Sequence, residues 1–223
     1  MNRRLLAAVA FTFAAHGLAM LLMAGLLMPM LPGGGGGGDA ERVARIAASP
    51  LAYRLGWFGW QLTAASDVVL GVTLFLATKD GRARAFGIAQ LVFVGLAVIP
   101  DQLAQFLLVT RGVELARSGD VAAFLAFETE MFPLTSGWAA ILYTLAAIGW
   151  ALALRTSGRW SRVLAWLTPP MLLLFVAISI APVVPLAIRP SAELIGAGNA
   201  VAFTLLEAWF VAVFVATRRA RAA

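Results

Sequence analysis

The stretch from Leu55 to Thr78, LGWFGWQLTAASDVVLGVTLFLAT, limits what this chain can become. It is long enough to cross a bilayer, which takes about 20 mostly apolar residues. It also carries Asp67 near its middle, with Gln61 and Thr63 just before it. A carboxyl at the centre of a span costs roughly 2.5–3.5 kcal/mol on the insertion scale, so it faces protein or a water-filled cavity rather than lipid. Other spans must therefore surround Asp67.

Those spans are present. The 223 residues are 61% hydrophobic and only 13% charged, where a soluble domain is about a quarter charged. Six apolar segments are expected, at about 5–31, 55–78, 86–109, 134–154, 163–188 and 192–217. They leave room for a single polytopic membrane domain over residues 1–223 and no second domain. The apolar run after Arg3 and Arg4 is too long for a cleaved signal peptide, whose apolar region is 7–15 residues, and is kept as the first span.

Eleven of the 17 basic residues fall on the side that carries both termini, in clusters such as Lys79, Arg82, Arg84 and Arg155, Arg159, Arg162. The other six are Arg42, Arg45, Arg54, Arg111, Arg117 and Arg189. The positive-inside rule then places both termini in the cytoplasm. This clustering also accounts for the net charge of +6 without nucleic acid as a partner. The partners expected are the lipid bilayer and a small polar ligand; the sequence sets no oligomeric state.

The outer loops hold the remaining structure. The run Gly33–Gly38 has no side chains to pack and reads as a flexible linker. Asp39 is placed to cap a short helix with Val43, Ile46 and Ala47 on one side, ended by Ser49-Pro50. The third loop reads as two short interfacial helices, with Glu128 and Glu130 on the polar side of VAAFLAFETEMF.

Polar residues at membrane depth are the candidate site. At 1.5 Å per residue, His16, Asp67 and Glu207 all lie roughly 15–17 Å from the cytoplasmic ends of their spans. Thr12 stands one turn before His16. Thr63, Ala64 and Gly71 share a face with Asp67, and Asn199, Ala200, Phe203 and Thr204 lie near Glu207. Asp101 sits nearer the outer end of span three, after Pro100, with Gln105 one turn on and Gln90 three turns back. Short connections and closure of the bundle would bring spans one, two and six together. The residues proposed to line a ligand or proton pocket are thus His16, Asp67, Glu207, Asp101, Gln61, Thr63, Gln105 and Asn199. The competing reading makes these same groups hydrogen-bonded glue between helices.

Several chemistries are excluded. There is no cysteine and one histidine, so thiol chemistry and multi-histidine metal sites are out. No GxSxG or P-loop motif occurs. No catalytic residue, metal or cofactor is assigned. The seven tryptophans read as interfacial anchors, Trp150 and Trp209 included.

The entry to span two, Ser49, Pro50, Arg54, Leu55 and Gly56, followed by Asp67, resembles small bacterial six-helix membrane proteins of a domain family of unknown function. Glu207 to Phe210, EAWF, is similar to the last helix of that family. The resemblance implies an all-α bundle of six transmembrane helices in a bacterial plasma membrane, and no activity. Three function classes remain: a binding or transport-type protein with a polar midplane pocket, an accessory or structural membrane protein, and, last, a small enzyme using His16 with a carboxyl.

Overall fold

A computed structural model describes the chain except for residues 1, 35, 36, 80, 186, 187, 189 and 223, and except for the side chains of 2, 192, 193 and 220–222. Asp80, Arg189, two glycines of the hexaglycine run and part of the outer end of span five thus lie outside the described residues, as does the Glu193 side chain. Among the described residues 90% are helical and none is in a strand.

Six helices are long and apolar enough to cross a membrane. Helix α1 (Asn2–Leu22) continues through a π-helical and a 3-10 turn to Met30. The short α2 (Asp39–Ala48) leads directly into α3 (Pro50–Ala77), whose first residue is the proline, where no N–H is needed. Then come α4 (Gly81–Leu107), α5 (Val113–Ser118), α6 (Val121–Phe132), α7 (Ala140–Thr156), α8 (Arg162–Ile180) and α9 (Ala192–Ala222).

Four of these join in pairs as two longer rods. A π-helical turn at Leu108–Gly112 joins α4 to α5, and another at Pro133–Ala139 joins α6 to α7. The resulting helix Gly81–Ser118 has 38 residues, about 57 Å at 1.5 Å per residue, against about 30 Å of hydrocarbon. The helix is thus longer than a span requires, and its end forms a helical hairpin with the start of Val121–Thr156. The hairpin turns at Gly119, where φ is 76°, and Asp120 caps the return by accepting from the Ala123 N–H at 2.9 Å. Both segments of the third loop are helical and continuous with their spans, the first as an extension over RGVELAR.

Each span packs against the next in sequence, and α9 returns against α1, so the six form a closed ring in chain order. α3 also touches α7 across the ring. The ring's outer surface is apolar: Leu21, Leu76, Ile99, Phe106, Trp166 and Leu173 are each more than half exposed. A soluble protein does not leave apolar side chains bare in such number; this is a surface for lipid, and the chain fits a multi-pass integral membrane protein.

The inward surface is built of small residues and a few hydrogen-bonding side chains. Ala15, Ala19, Ala64, Ala97, Ala104 and Ala146 are buried, and they let backbones approach closely. The approach is tightest at Gly149. A Cβ there would lie 2.6 Å from Gln90 Cβ and 3.2 Å from its Cα, so α4 and α7 could not keep their spacing around any larger residue. Gln90 then joins three helices. Its Nε2 donates to the carbonyls of Gly71 (2.8 Å) and Gly87 (2.7 Å), and its Oε1 accepts from Trp150 Nε1 at 2.7 Å.

Trp150 and Trp209 are accordingly not interfacial anchors. They are 3% and 1% exposed, and Trp209 donates to Thr168 Oγ at 2.9 Å, tying α9 to α8. An indole in a dry interior needs an acceptor, and Gln90 and Thr168 supply the two. Trp57 is buried as well, its Nε1 without a partner, whereas Trp138 and Trp166 face outward as a belt requires.

At the end away from the termini, α2, α5 and α6 close over the ring as a cap. Leu27, Met30, Val43, Ile46, Tyr53, Trp57, Leu108, Val113, Ala116 and Phe124 form a second core there. Through this core runs an ion pair. Arg42 of α2 and Glu128 of α6 are 6% and 4% exposed, and they meet as a fork, 2.7 Å in both arms. Glu128 is thus turned inward one turn after Phe124, not outward with Glu130 as expected. Asp39 does not cap α2; it accepts from Arg42 at 3.0 Å instead. Burial alone would weaken the charge on Arg42. The hydrogen bonds and charges of Glu128 and Asp39 outweigh it and hold the guanidinium pKa above its usual value.

Candidate functional site

The eight sequence-designated residues divide into two centres and three bystanders. Gln61 and Asn199 are half-buried and make no side-chain hydrogen bond among the described residues. Thr63 is buried, but its hydroxyl donates to the Trp60 carbonyl of its own helix at 2.8 Å.

The first centre lies halfway along the ring, where α1, α3 and α9 meet. His16 is 4% exposed and Asp67 7%. His16 Nδ1 lies 3.0 Å from the Thr12 carbonyl. A carbonyl only accepts, so Nδ1 carries the proton and Nε2 presents its lone pair. That lone pair faces Asp67 Oδ1 at 3.8 Å, beyond hydrogen-bond length. Thr12 fixes the pairing of the two helices by donating across to the Ser66 carbonyl at 3.2 Å as well as to its own Ala8 carbonyl.

The third member, Glu207, approaches from α9. A Cβ built on Gly17, the residue after His16, would lie 4.0 Å from Glu207 Oε1. The His16 ring packs on Phe203 (6.1 Å) and Phe210 (5.4 Å), which stand four before and three after Glu207 on the same helical face. Yet Glu207 makes no ion pair with His16. Asp67 Oδ1 and both carboxyl oxygens of Glu207 are buried without a hydrogen-bond partner. The hydroxyls expected to serve them are otherwise engaged: Thr12 and Thr63 as above, and Thr204 on the Ala200 carbonyl at 2.7 Å.

The second centre is Asp101, between α4 and the turn leading into α7. It is 5% exposed and filled from four directions. Oδ1 accepts from Gln105 Nε2 at 2.8 Å and Thr135 Oγ at 2.5 Å; Oδ2 accepts from Gln102 Nε2 and the Tyr143 hydroxyl, both at 3.2 Å. Asp101 is within Coulombic reach of Asp67, and Tyr143 within reach of both. Thr135 and Tyr143 were not legible as site residues. They come from a segment 34 and 42 positions away, and only the helical phase set by the π-turn aims them at Asp101.

The two best-formed cavities among the described residues are lined by neither centre. One has room for about one water and is lined by Leu5, Val9, Leu70, Leu74, Trp150, Leu154, Trp209 and Val213, all apolar or indole. Among the described residues no three histidine, aspartate or glutamate side chains converge as metal ligands. The residues expected to line a midplane pocket thus fall in two groups of facing side chains.

Comparison with protein-family models, with curated proteins and with solved structures finds no match for this chain.

Proposed function

We propose that this integral membrane protein is of the binding or transport type, that His16, Asp67 and Glu207 are its site, and that the conformation described is closed around that site. One contrast supports the reading. The interior groups that join helices, Gln90, Trp150, Thr168, Trp209 and Asp101, all have their hydrogen bonds made. The two carboxyls beside His16 do not. Tyr53 Oη, Trp57 Nε1, Gln105 Oε1 and Thr217 Oγ1 are also buried without a partner, but these belong to neutral groups; an unsatisfied carboxyl at membrane depth costs more stability, which supports a role in taking something up. The dry packing favours the structural alternative for Gln90 and Asp101, and there we adopt it.

The two roles separate in a stability measurement. A neutral isostere at a binding carboxyl removes an unmet demand, so Asp67→Asn and Glu207→Gln should melt in detergent at or above the parent's temperature. Gln90→Leu should melt lower, because it strands Trp150 Nε1 and the Gly71 carbonyl. A loss for Asp67→Asn and Glu207→Gln as large as that for Gln90→Leu would assign all of them to helix glue.

The proposal includes an orientation. With both termini cytoplasmic, in a bacterial plasma membrane as the family resemblance implies, reporters fused at Arg84, Arg159 and the C-terminus read cytoplasmic. A reporter within Gly33–Gly38 reads external, and a cytoplasmic reading there would reverse the topology.

A further inference from the structure

We infer that the species this site takes up is the proton, shared between His16 Nε2 and Asp67 Oδ1, with Glu207 as the second carboxyl that exchanges it. The inference rests on the reading of these three residues as a site and names its ligand.

Space is the first argument. The best-formed cavities among the described residues have room for about one water each, and neither is lined by His16, Asp67 or Glu207. A sugar, amino acid or drug-sized ligand would need a pocket of several hundred Å³, by the usual size of such sites. Coordination is the second. A desolvated metal ion needs several convergent ligands, and no such convergence occurs among the described residues. A proton needs neither volume nor a coordination shell.

Hydrogen-bond chemistry is the third argument. With Nδ1–H committed to the Thr12 carbonyl, the imidazole has one free basic atom, and that atom faces Asp67 Oδ1. Two arrangements of a single proton are available. In one, Asp67 is a neutral acid and His16 a neutral base. In the other, the O–H bond has broken, an Nε2–H bond has formed, and the pair is carboxylate and imidazolium. Both have zero net charge, so moving between them adds no net charge to the low-dielectric interior. Losing the proton altogether leaves a bare carboxylate there, which is strongly unfavourable. The 3.8 Å separation has to shorten by roughly 0.6–1.1 Å for direct transfer, within the reach of side-chain torsions.

Among the described residues, the titratable groups facing this pair are acids. On α9, packed against α1, the facing titratable group is Glu207. Against α3, the facing groups are Asp101 of α4 and Tyr143 of α7. His16 is the one histidine in the chain. No donor holds the Glu207 carboxyl in place for exchange with the pair.

The test uses the full-length protein in micelles with nitrogen-15 in histidine, where a single histidine gives unambiguous signals. The Nδ1 and Nε2 resonances are followed from acid to alkaline pH in the parent, Asp67→Asn, Asp67→Glu and Glu207→Gln, in sodium chloride and again in choline chloride. Asp67→Asn is expected to change the proton affinity of Nε2 by on the order of tenfold or more. Asp67→Glu should retain the coupling, and exchange of sodium for choline should leave the resonances in place. Resonances that move with sodium at fixed pH would make a metal cation the ligand, overturning the proton while sparing the site. Resonances indifferent to all three substitutions and to sodium would overturn the site as well. Loss of coupling in Asp67→Glu, with the rest of the spectrum intact, would count against a shared proton.

Discussion

Arg42→Ala is expected to destabilise the protein by about 3–5 kcal/mol, the usual cost of stranding one partner of a buried ion pair. Glu128 would be left at 4% exposure without its guanidinium. Arg42 also donates to Asp39 and to the Met30 carbonyl, so α2, α6 and the end of the first span loosen together. The double change Arg42→Met, Glu128→Leu removes both charges and keeps the volume, and it should recover most of the loss. Glu41→Ala is the internal control: it breaks the exposed Arg45–Glu41 pair of the same helix and should cost less than about 1 kcal/mol. Thermal unfolding in detergent reads all three. If Arg42→Ala and Glu41→Ala fall by the same small amount, the cap is not held by this pair.

Asp101→Ala should cost about 2–4 kcal/mol, since it leaves Gln102, Gln105, Thr135 and Tyr143 without their acceptor. Polar contacts between membrane helices are worth about 0.6 kcal/mol on average, and a buried donor left unpaired costs about 1–3 kcal/mol. The sum is large because four contacts converge on one carboxyl. Asp101→Asn keeps one acceptor oxygen but turns an N–H₂ toward two donors, so it should fall between alanine and the parent. The direction is opposite to that expected for Asp67→Asn, although both are buried aspartates in neighbouring helices. Equal responses from Asp67 and Asp101 would remove the distinction between a satisfied carboxyl and an unsatisfied one. In that event the assignment of separate roles fails.

The sequence by itself determined the class of solution. Six apolar runs of membrane length, with Asp67, His16 and Glu207 at one depth, follow from composition and the 1.5 Å rise alone. Hydropathy is a property of each segment, so it survives in the one-dimensional record. Depth is one too, and it marked His16 and Asp67, which face each other at 3.8 Å, and Glu207, whose Oε1 lies 4.0 Å from a Cβ built on Gly17. Depth could not say which residues satisfy which. Thr135 and Tyr143 reach Asp101, and Trp150 reaches Gln90, because helix phase and ring order bring distant positions onto facing surfaces. Phase depends on details such as the π-turn at Pro133–Ala139, which shifts every later side chain around the helix axis.

The cap shows the same division. The pattern of Val43 and Ile46 forecast the buried side of α2, since a helix repeats every 3.6 residues. It gave no sign that Arg42, at the edge of that face, would be buried too. A charge is buried only when its partner arrives, and Glu128 arrives from 86 residues away. Tertiary structure alone decided that pairing, as it decided that Trp150 and Trp209 turn inward to acceptors while Trp138 and Trp166 turn outward to lipid. An indole suits both places, and only the assembled ring says which side of each helix is the interior.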